Sequence, residues 1–132
     1  MIFVDTSFWV GLMVRRDGRH AAATALSSIH ADERLATSNH VRGETWTLLR
    51  RRAGHRIATA FLDRVERSPR VEVLFASREL EDDALRWLRQ HDEREYSFVD
   101  ATSFALMRSL RIGEAFAFDG DFSAAGFAEL RP

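Results

Sequence analysis

The sequence predicts an α/β fold built on a mainly parallel sheet. Three observations lead there. Short apolar runs of β type alternate with segments of helical length and periodicity. The first run, Ile2-Phe3-Val4, is a continuous buried-strand pattern that stops at Asp5. No internal repeat, low-complexity tract or linker interrupts the 132 residues, so one domain over 1–132 is expected.

Residues 6–14 read as a helix that is apolar nearly all round, through Phe8, Trp9, Val10, Leu12, Met13 and Val14. Such a helix is buried in a core or meets a partner. Arg15–Arg19 breaks the pattern, and residues 20–30 form an alanine-rich helix. Leu35-Ala36-Thr37 is a second short strand. Ser38 or Asn39 then caps a helix over 40–52, which Gly54 closes. Residues 55–67 form a helix with Ile57, Ala60, Phe61, Leu62 and Val65 on its apolar stripe, and Pro69 ends it. Val71–Phe75 is a strand. Residues 77–91 are helical, with Leu80, Ala84, Leu85, Trp87 and Leu88 inward. Ser97 opens a helix that runs to about Leu110. Ala115–Phe118 is a strand entering a turn at Asp119-Gly120-Asp121.

Composition excludes several chemistries. Hydrophobic residues make 45% of the chain and charged residues 30%, the balance of a folded globular protein. Cysteine is absent, which removes disulfides, thiolate catalysis and cysteine zinc sites and fits a reducing compartment. All 19 cationic residues are arginine. Without lysine there is no Schiff base, no Walker-type phosphate lysine and no receiver-domain lysine. The formal net charge of −1 means that any nucleic-acid contact comes from local patches. The opening Met1–Val14 run carries Asp5 and no basic leader. It is too short to span a bilayer and unlike a signal peptide, so a cytoplasmic protein with no membrane partner is expected.

The placement of the acids is informative. Asp5 and Asp119 each fall at the carboxyl end of an apolar strand, and in parallel sheets those ends share the edge where ligands bind. Glu44 lies at the border of the stripe Val41, Thr45, Leu48 and Leu49 and faces inward more than outward. Asp100 occupies the first turn of its helix, on the face of Phe104 and Met107. Like charges crowded together persist only if protonated, paired with arginine or bound to a cation. The constellation is Asp5, Glu44, Asp100 and Asp119, with Asp121 nearby. Its donors are all hard oxygens, which selects Mg²⁺ or Mn²⁺ over zinc. Each acid also has a plain structural use. Asp5 can cap the next helix, Asp100 fits a capping box with Ser97, Asp119 and Asp121 suit a turn, and Glu44 suits a solvated helix flank.

The fragments IFVDTSFWV, TSNHVRGETWTLLRRR, YSFVDATSFALM and AFAFDGDF, in this order, resemble the PIN-domain ribonucleases, most closely the VapC-type toxins of toxin–antitoxin pairs. The likeness runs from residue 2 to about 122. It implies a three-layer α/β/α sandwich and a Mg²⁺ or Mn²⁺ site that hydrolyses RNA phosphodiester bonds. The family's acids map to Asp5, Glu44, Asp100 and Asp119, with Asp121 the weaker position. The expected roles are catalysis by those four, with the cation held by Asp5, Asp100 and Asp119 and by Asp121 through water. Glu44 would position a second ion or the attacking water. Thr6 and Ser7 match family hydroxyls and could orient ligands or water, although capping the helix is the commoner use. The resemblance also implies a homodimer and a cognate VapB-type antitoxin.

An acidic site that binds RNA needs basic offsets. Arg50, Arg51 and Arg52 with Arg56, and Arg15, Arg16 and Arg19, are the candidates for phosphate contact. His40, four residues before Glu44, forms a possible metal pair with it, but no other histidine shows ligand spacing. Three rivals stand beside this reading. A haloacid-dehalogenase-type phosphotransferase needs a second aspartate two residues after the first, where Ser7 stands. A non-enzymatic α/β module would use the acids only as caps. A PIN-fold nuclease of RNA processing would share the chemistry without being a toxin.

Overall fold

A computed structural model describes residues 1–132. It contains β1 (Ile2–Val4), α1 (Thr6–Met13), α2 (His20–Ile29), β2 (Leu35–Ser38), α3 (Asn39–Arg52), α4 (His55–Arg67), β3 (Val71–Leu74), α5 (Arg78–Gln90), α6 (Phe98–Leu110), β4 (Glu114–Phe116), α7 (Asp121–Ala124) and β5 (Ala128–Glu129). The five strands form one sheet in the order β3-β2-β1-β4-β5, parallel throughout. The expected α/β/α sandwich is therefore present.

Strand β1 is central and wholly buried. Its register pairs Phe3 with Ala36 on one side and Ala115 on the other, and Val4 with Phe116. Side chains alternate across a sheet, so Phe3 and Phe116 point to opposite layers. Phe3 stacks on Phe122 of α7, which in turn meets Phe104 of α6. Phe116 stacks on Phe8 of α1 at 4.5 Å between ring centroids. Trp9 of α1 packs edge-on to Phe61 of α4. These aromatics fix α6 and α7 on one face of the sheet and α1 and α4 on the other.

The apolar helix α1 spends its surface inward, with Phe8, Trp9 and Val10 in the core. The buried Trp9 indole N–H donates to Thr37 Oγ1, which donates to the Val4 carbonyl, so α1, β2 and β1 share one polar relay inside the core. Helix α3 begins where Ser38 Oγ accepts the Val41 N–H at 3.0 Å, which decides between the two predicted caps.

Three local readings need correction. The strand predicted over Ala115–Phe118 ends at Phe116, because the Phe118 N–H leaves the ladder and donates to Ser7 Oγ. Leu85 is 40% exposed, since α5 packs chiefly on α6 through Leu80, Ala84, Trp87 and Leu88. Ala60 is exposed, and Ala58 takes the buried position one helical turn before Phe61. Helix α7 and strand β5 carry too few residues for a periodic signal and were not predicted.

Candidate active site

The strand order places β1 beside β2 on one side and β4 on the other. The strands that follow β1 are added first on its β2 side and then on its β4 side, and ligands bind at the carboxyl ends of strands at such a switch point. Asp5 follows β1 directly. Its backbone N–H donates to the Phe116 carbonyl, so the strand ends are stitched together at 3.0 Å. A cavity of about 390 Å³ opens at this edge, and Asp5, Glu44, Asp100, Asp119 and Asp121 all line it.

Each acid arrives by a different local device. Asp5 caps α1, accepting from the Ser7 N–H at 3.2 Å and from Ser7 Oγ at 2.8 Å. Asp100 forms the predicted capping box: Ser97 Oγ accepts the Asp100 N–H, and Asp100 Oδ2 accepts the Ser97 N–H, both at 2.9 Å. Glu44 is half-buried on α3 one turn before Leu48, which also lines the cavity. Asp119 and Asp121 flank Gly120, whose φ of +83° turns the chain sharply. Thus the structural uses proposed for Asp5 and Asp100 are real and coexist with their place in the cavity.

The electrostatics divide the acids into two kinds. Asp5 is 3% exposed, has no cationic partner, and its pKa is pushed up to about 7. Burial is the main cause, opposed by the two Ser7 hydrogen bonds and reinforced by Asp100 and Asp119. Asp100 is raised to about 6, again chiefly by burial and also by Asp121 and Glu44. The rim acids are neutralised differently. Asp119 meets Arg19 Nη1 at 2.9 Å, and Asp121 meets Arg94 Nε at 2.9 Å. Of the three ways to tolerate crowded carboxylates, burial thus favours protonation at Asp5 and Asp100, and arginine pairing serves Asp119 and Asp121.

Of the other predicted residues, Thr6 and Ser7 line the cavity. Thr6 Oγ1 accepts from Thr45 of α3, and Ser7 Oγ joins Asp5 to the 118 backbone. Arg52 reaches the cavity and pairs with Asp17 at 3.2 Å. Arg50 and Arg51 are exposed and lie outside the cavity lining, because the 100° step of α3 carries them to other faces. His40 does not pair with Glu44. Its Nε2 stands 2.8 Å from Glu81 Oε1 and ties α3 to α5. Asp17, Arg94, Glu95 and Ser97 also border the site, three as cavity lining and Arg94 through Asp121. Asp17, Arg94 and Glu95 lie in charge-rich loops where no periodicity singles one residue out.

The donor set suits a hard dication in type: oxygen ligands only, with two buried carboxylates that no arginine offsets. In placement the set is open, for no three of these acids converge on one point as direct ligands.

Residues 2–128 match the family model of the PIN domain, and the chain belongs to the PIN-domain family. Within it the likeness is to VapC toxins. The chain is 57% identical over 132 residues to the 23S rRNA-specific endonuclease VapC20 of Mycobacterium tuberculosis, in strains CDC 1551 / Oshkosh and ATCC 25618 / H37Rv, spanning all of this chain and 99% of the relative. The crystal structure of M. tuberculosis VapC20, a sarcin–ricin loop cleaving toxin, matches with a TM-score of 0.95 and 55% identity, covering both chains fully.

Proposed function

We propose that this chain is a divalent-cation-dependent endoribonuclease of the VapC type, the toxin of a type II toxin–antitoxin pair, and that its substrate is the sarcin–ricin loop of 23S rRNA. The observation that carries the reading is the cavity at the switch point, where acids from four separate parts of the chain meet and the two buried ones lack any cationic partner. Likeness to VapC20 over the full length supports the substrate.

Asp5, Asp100 and Asp119 are the residues that would hold Mg²⁺ or Mn²⁺, in part through water, as Asp121 would. A dication there supplies charge neutralisation at the phosphate and acidifies water. The protein's own groups do the rest. Asp5 is kept in place by Ser7, and Asp100 by its capping box, so both carboxylates are oriented before substrate arrives. Glu44 lines the same cavity from α3 and would position a second ion or the attacking water. Arg52 at the cavity edge offsets the acids toward RNA phosphates. A VapB-type antitoxin with an arginine reaching these acids would neutralise them in place of the cation. Homodimerisation follows the same family reading.

The test is cleavage of ribosomal RNA by purified protein with Mg²⁺ or Mn²⁺, mapped by primer extension. Cleavage within the sarcin–ricin loop is expected, abolished by chelator and by Asp100→Asn. Folded wild-type protein that leaves 23S rRNA intact in both ions would defeat the proposal. Growth arrest on expression, relieved by the neighbouring gene's product, separates a toxin from an RNA-processing nuclease.

A further inference from the structure

Arg19 and Arg94 approach the Asp119-Gly120-Asp121 turn from the α1–α2 and α5–α6 loops, far apart in sequence. Each guanidinium binds one rim acid at 2.9 Å. Arg94 Nη2 also donates to the Asp119 carbonyl at 3.3 Å. The backbone of Arg19 packs closely on Gly11, where an added Cβ would stand 3.4 Å from the Arg19 Cβ, and its N–H donates to Asp17 Oδ1 at 2.9 Å. The guanidiniums are not packed in the same way. The side chains of Arg19 and Arg94 are 47% and 42% exposed, and Arg19 extends over the Phe118 ring at 5.6 Å. Ion pairs as exposed as these contribute little net stability, so exchanging the carboxylate for another anion costs little. A phosphodiester suits the guanidinium fork as well as a carboxylate does.

Resting on the nuclease reading above, we infer that Arg19 and Arg94 join Arg52 as phosphate-binding residues of this site, held on Asp119 and Asp121 until a dication claims those acids and frees them for RNA. The same carboxylates cannot serve arginine and cation at full strength. Cation binding therefore hands two positive forks to the substrate, and by linkage RNA favours cation binding. In the resting protein the arginines compete with the cation.

The Arg19→Gln/Arg94→Gln variant tests this through binding rather than turnover. Mn²⁺ affinity is read by isothermal titration calorimetry without RNA. Affinity for a fluorescent sarcin–ricin hairpin is read by anisotropy in Ca²⁺ over a range of salt. Loss of the competitors is expected to tighten Mn²⁺ binding roughly three- to ten-fold. RNA affinity should fall about ten-fold or more, and the log–log salt slope should become shallower by about one per arginine. Opposite signs in the two assays are not what a purely structural role gives. The Arg19→Lys/Arg94→Lys variant keeps the charge and should retain the salt slope with weaker RNA binding. Circular dichroism confirms folding, and if the double variant is unfolded, Arg94→Gln alone carries the same two readings at half the slope change. Weaker Mn²⁺ binding in the variant would show that the arginines merely orient the acids and would overturn the inference. So would wild-type RNA affinity and slope. If the wild-type protein binds no hairpin at all, the nuclease reading fails instead, and the Mn²⁺ titration still decides whether the arginines compete.

Discussion

The floor and the rim of the acidic cavity hold the same functional group under opposite conditions. On the floor, Asp5 is shielded from water and Asp100 largely so, both receive hydrogen bonds only from serines, and their pKa values are raised to about 7 and about 6. On the rim, Asp119 is exposed, and it and Asp121 are both held by arginines. Burial favours the protonated form of the floor acids, whereas guanidinium groups offset the charge of the rim acids. The floor carboxylates thus have no counter-charge in contact, whereas each rim carboxylate already has one.

The largest effect that sharpens this contrast is expected from Asp5→Asn. Cleavage should fall by about three orders of magnitude, as for loss of a group that acts chiefly in the transition state. Stability should move the other way. The folded-state pKa of Asp5 lies above its ordinary 3.8, so between those pH values the folded chain holds a proton that the unfolded chain has released. Stability is then greatest below about pH 4 and falls as pH rises through about 7, by roughly 4 kcal/mol for this group. Asp100 adds a smaller loss of the same sign, screened by its partial contact with water. Urea denaturation in chelator should show wild-type stability declining from pH 5 to 8, and Mn²⁺ should remove much of that decline. Asp5→Asn should remove most of it without metal and be more stable than wild type at pH 8. A wild-type profile flat across this range would mean that Asp5 is not a strained floor acid.

Ser7→Ala comes next, because Ser7 is the hinge between floor and rim. Its Oγ donates to Asp5 at 2.8 Å and accepts the Phe118 N–H at 3.0 Å, joining β1 to the loop that carries Asp119. Alanine leaves one partly buried N–H without a partner and strips the floor acid of its hydroxyl. A stability loss of about 1–3 kcal/mol is expected in urea titrations. Activity should drop roughly ten-fold, the scale for losing a group that orients a ligand. A Ser7→Ala protein with wild-type stability would show that floor and rim are coupled by something other than this hydroxyl.

The floor was more legible in the sequence than the rim. Asp5 follows an apolar strand, and Ser97 with Asp100 writes a capping box three residues apart, so short-range signals locate both. Glu44 was readable from helical period alone. What pairs with the rim was not readable, because Arg19 lies 100 residues from Asp119 and Arg94 lies 27 from Asp121. Among 19 arginines no local pattern marks those two. The run Arg50-Arg51-Arg52 misled in part for the same reason, since three consecutive residues on α3 point in three directions. Leu85 and Ala60 were misplaced because residues at the border of an apolar stripe are decided by which neighbour packs there, and that neighbour comes from elsewhere in the chain.

That run supplies a smaller test of where the rim's basic reach ends. Arg52 borders the cavity and is paired with Asp17, whereas Arg50 and Arg51 are exposed outside it. Arg52→Ala is expected to weaken hairpin binding about three- to ten-fold and to flatten the salt slope by about one. Arg50→Ala and Arg51→Ala should each change affinity less than about two-fold, a weak and sequence-independent effect. Equal losses at all three positions would extend the RNA path along α3 and away from the rim.

The smallest effect is expected from His40→Gln, which asks whether the cavity's cation chemistry stops at the oxygens. His40 shares helix α3 with Glu44, one turn earlier, but its ring lies edge-on to Phe98 and its Nε2 is bonded to Glu81 at 2.8 Å. The two side chains are 24% and 40% exposed, so the pair works partly in water and is expected to be worth less than about 1 kcal/mol. Glutamine can still hydrogen-bond Glu81, which leaves α3 and α5 joined. Mn²⁺ affinity by calorimetry should match wild type, and so should the rate of cleavage. A ten-fold loss of Mn²⁺ affinity would mean that the imidazole turns from Glu81 to the cavity when the cation binds, and the site would then be a mixed nitrogen–oxygen centre rather than a hard-oxygen one.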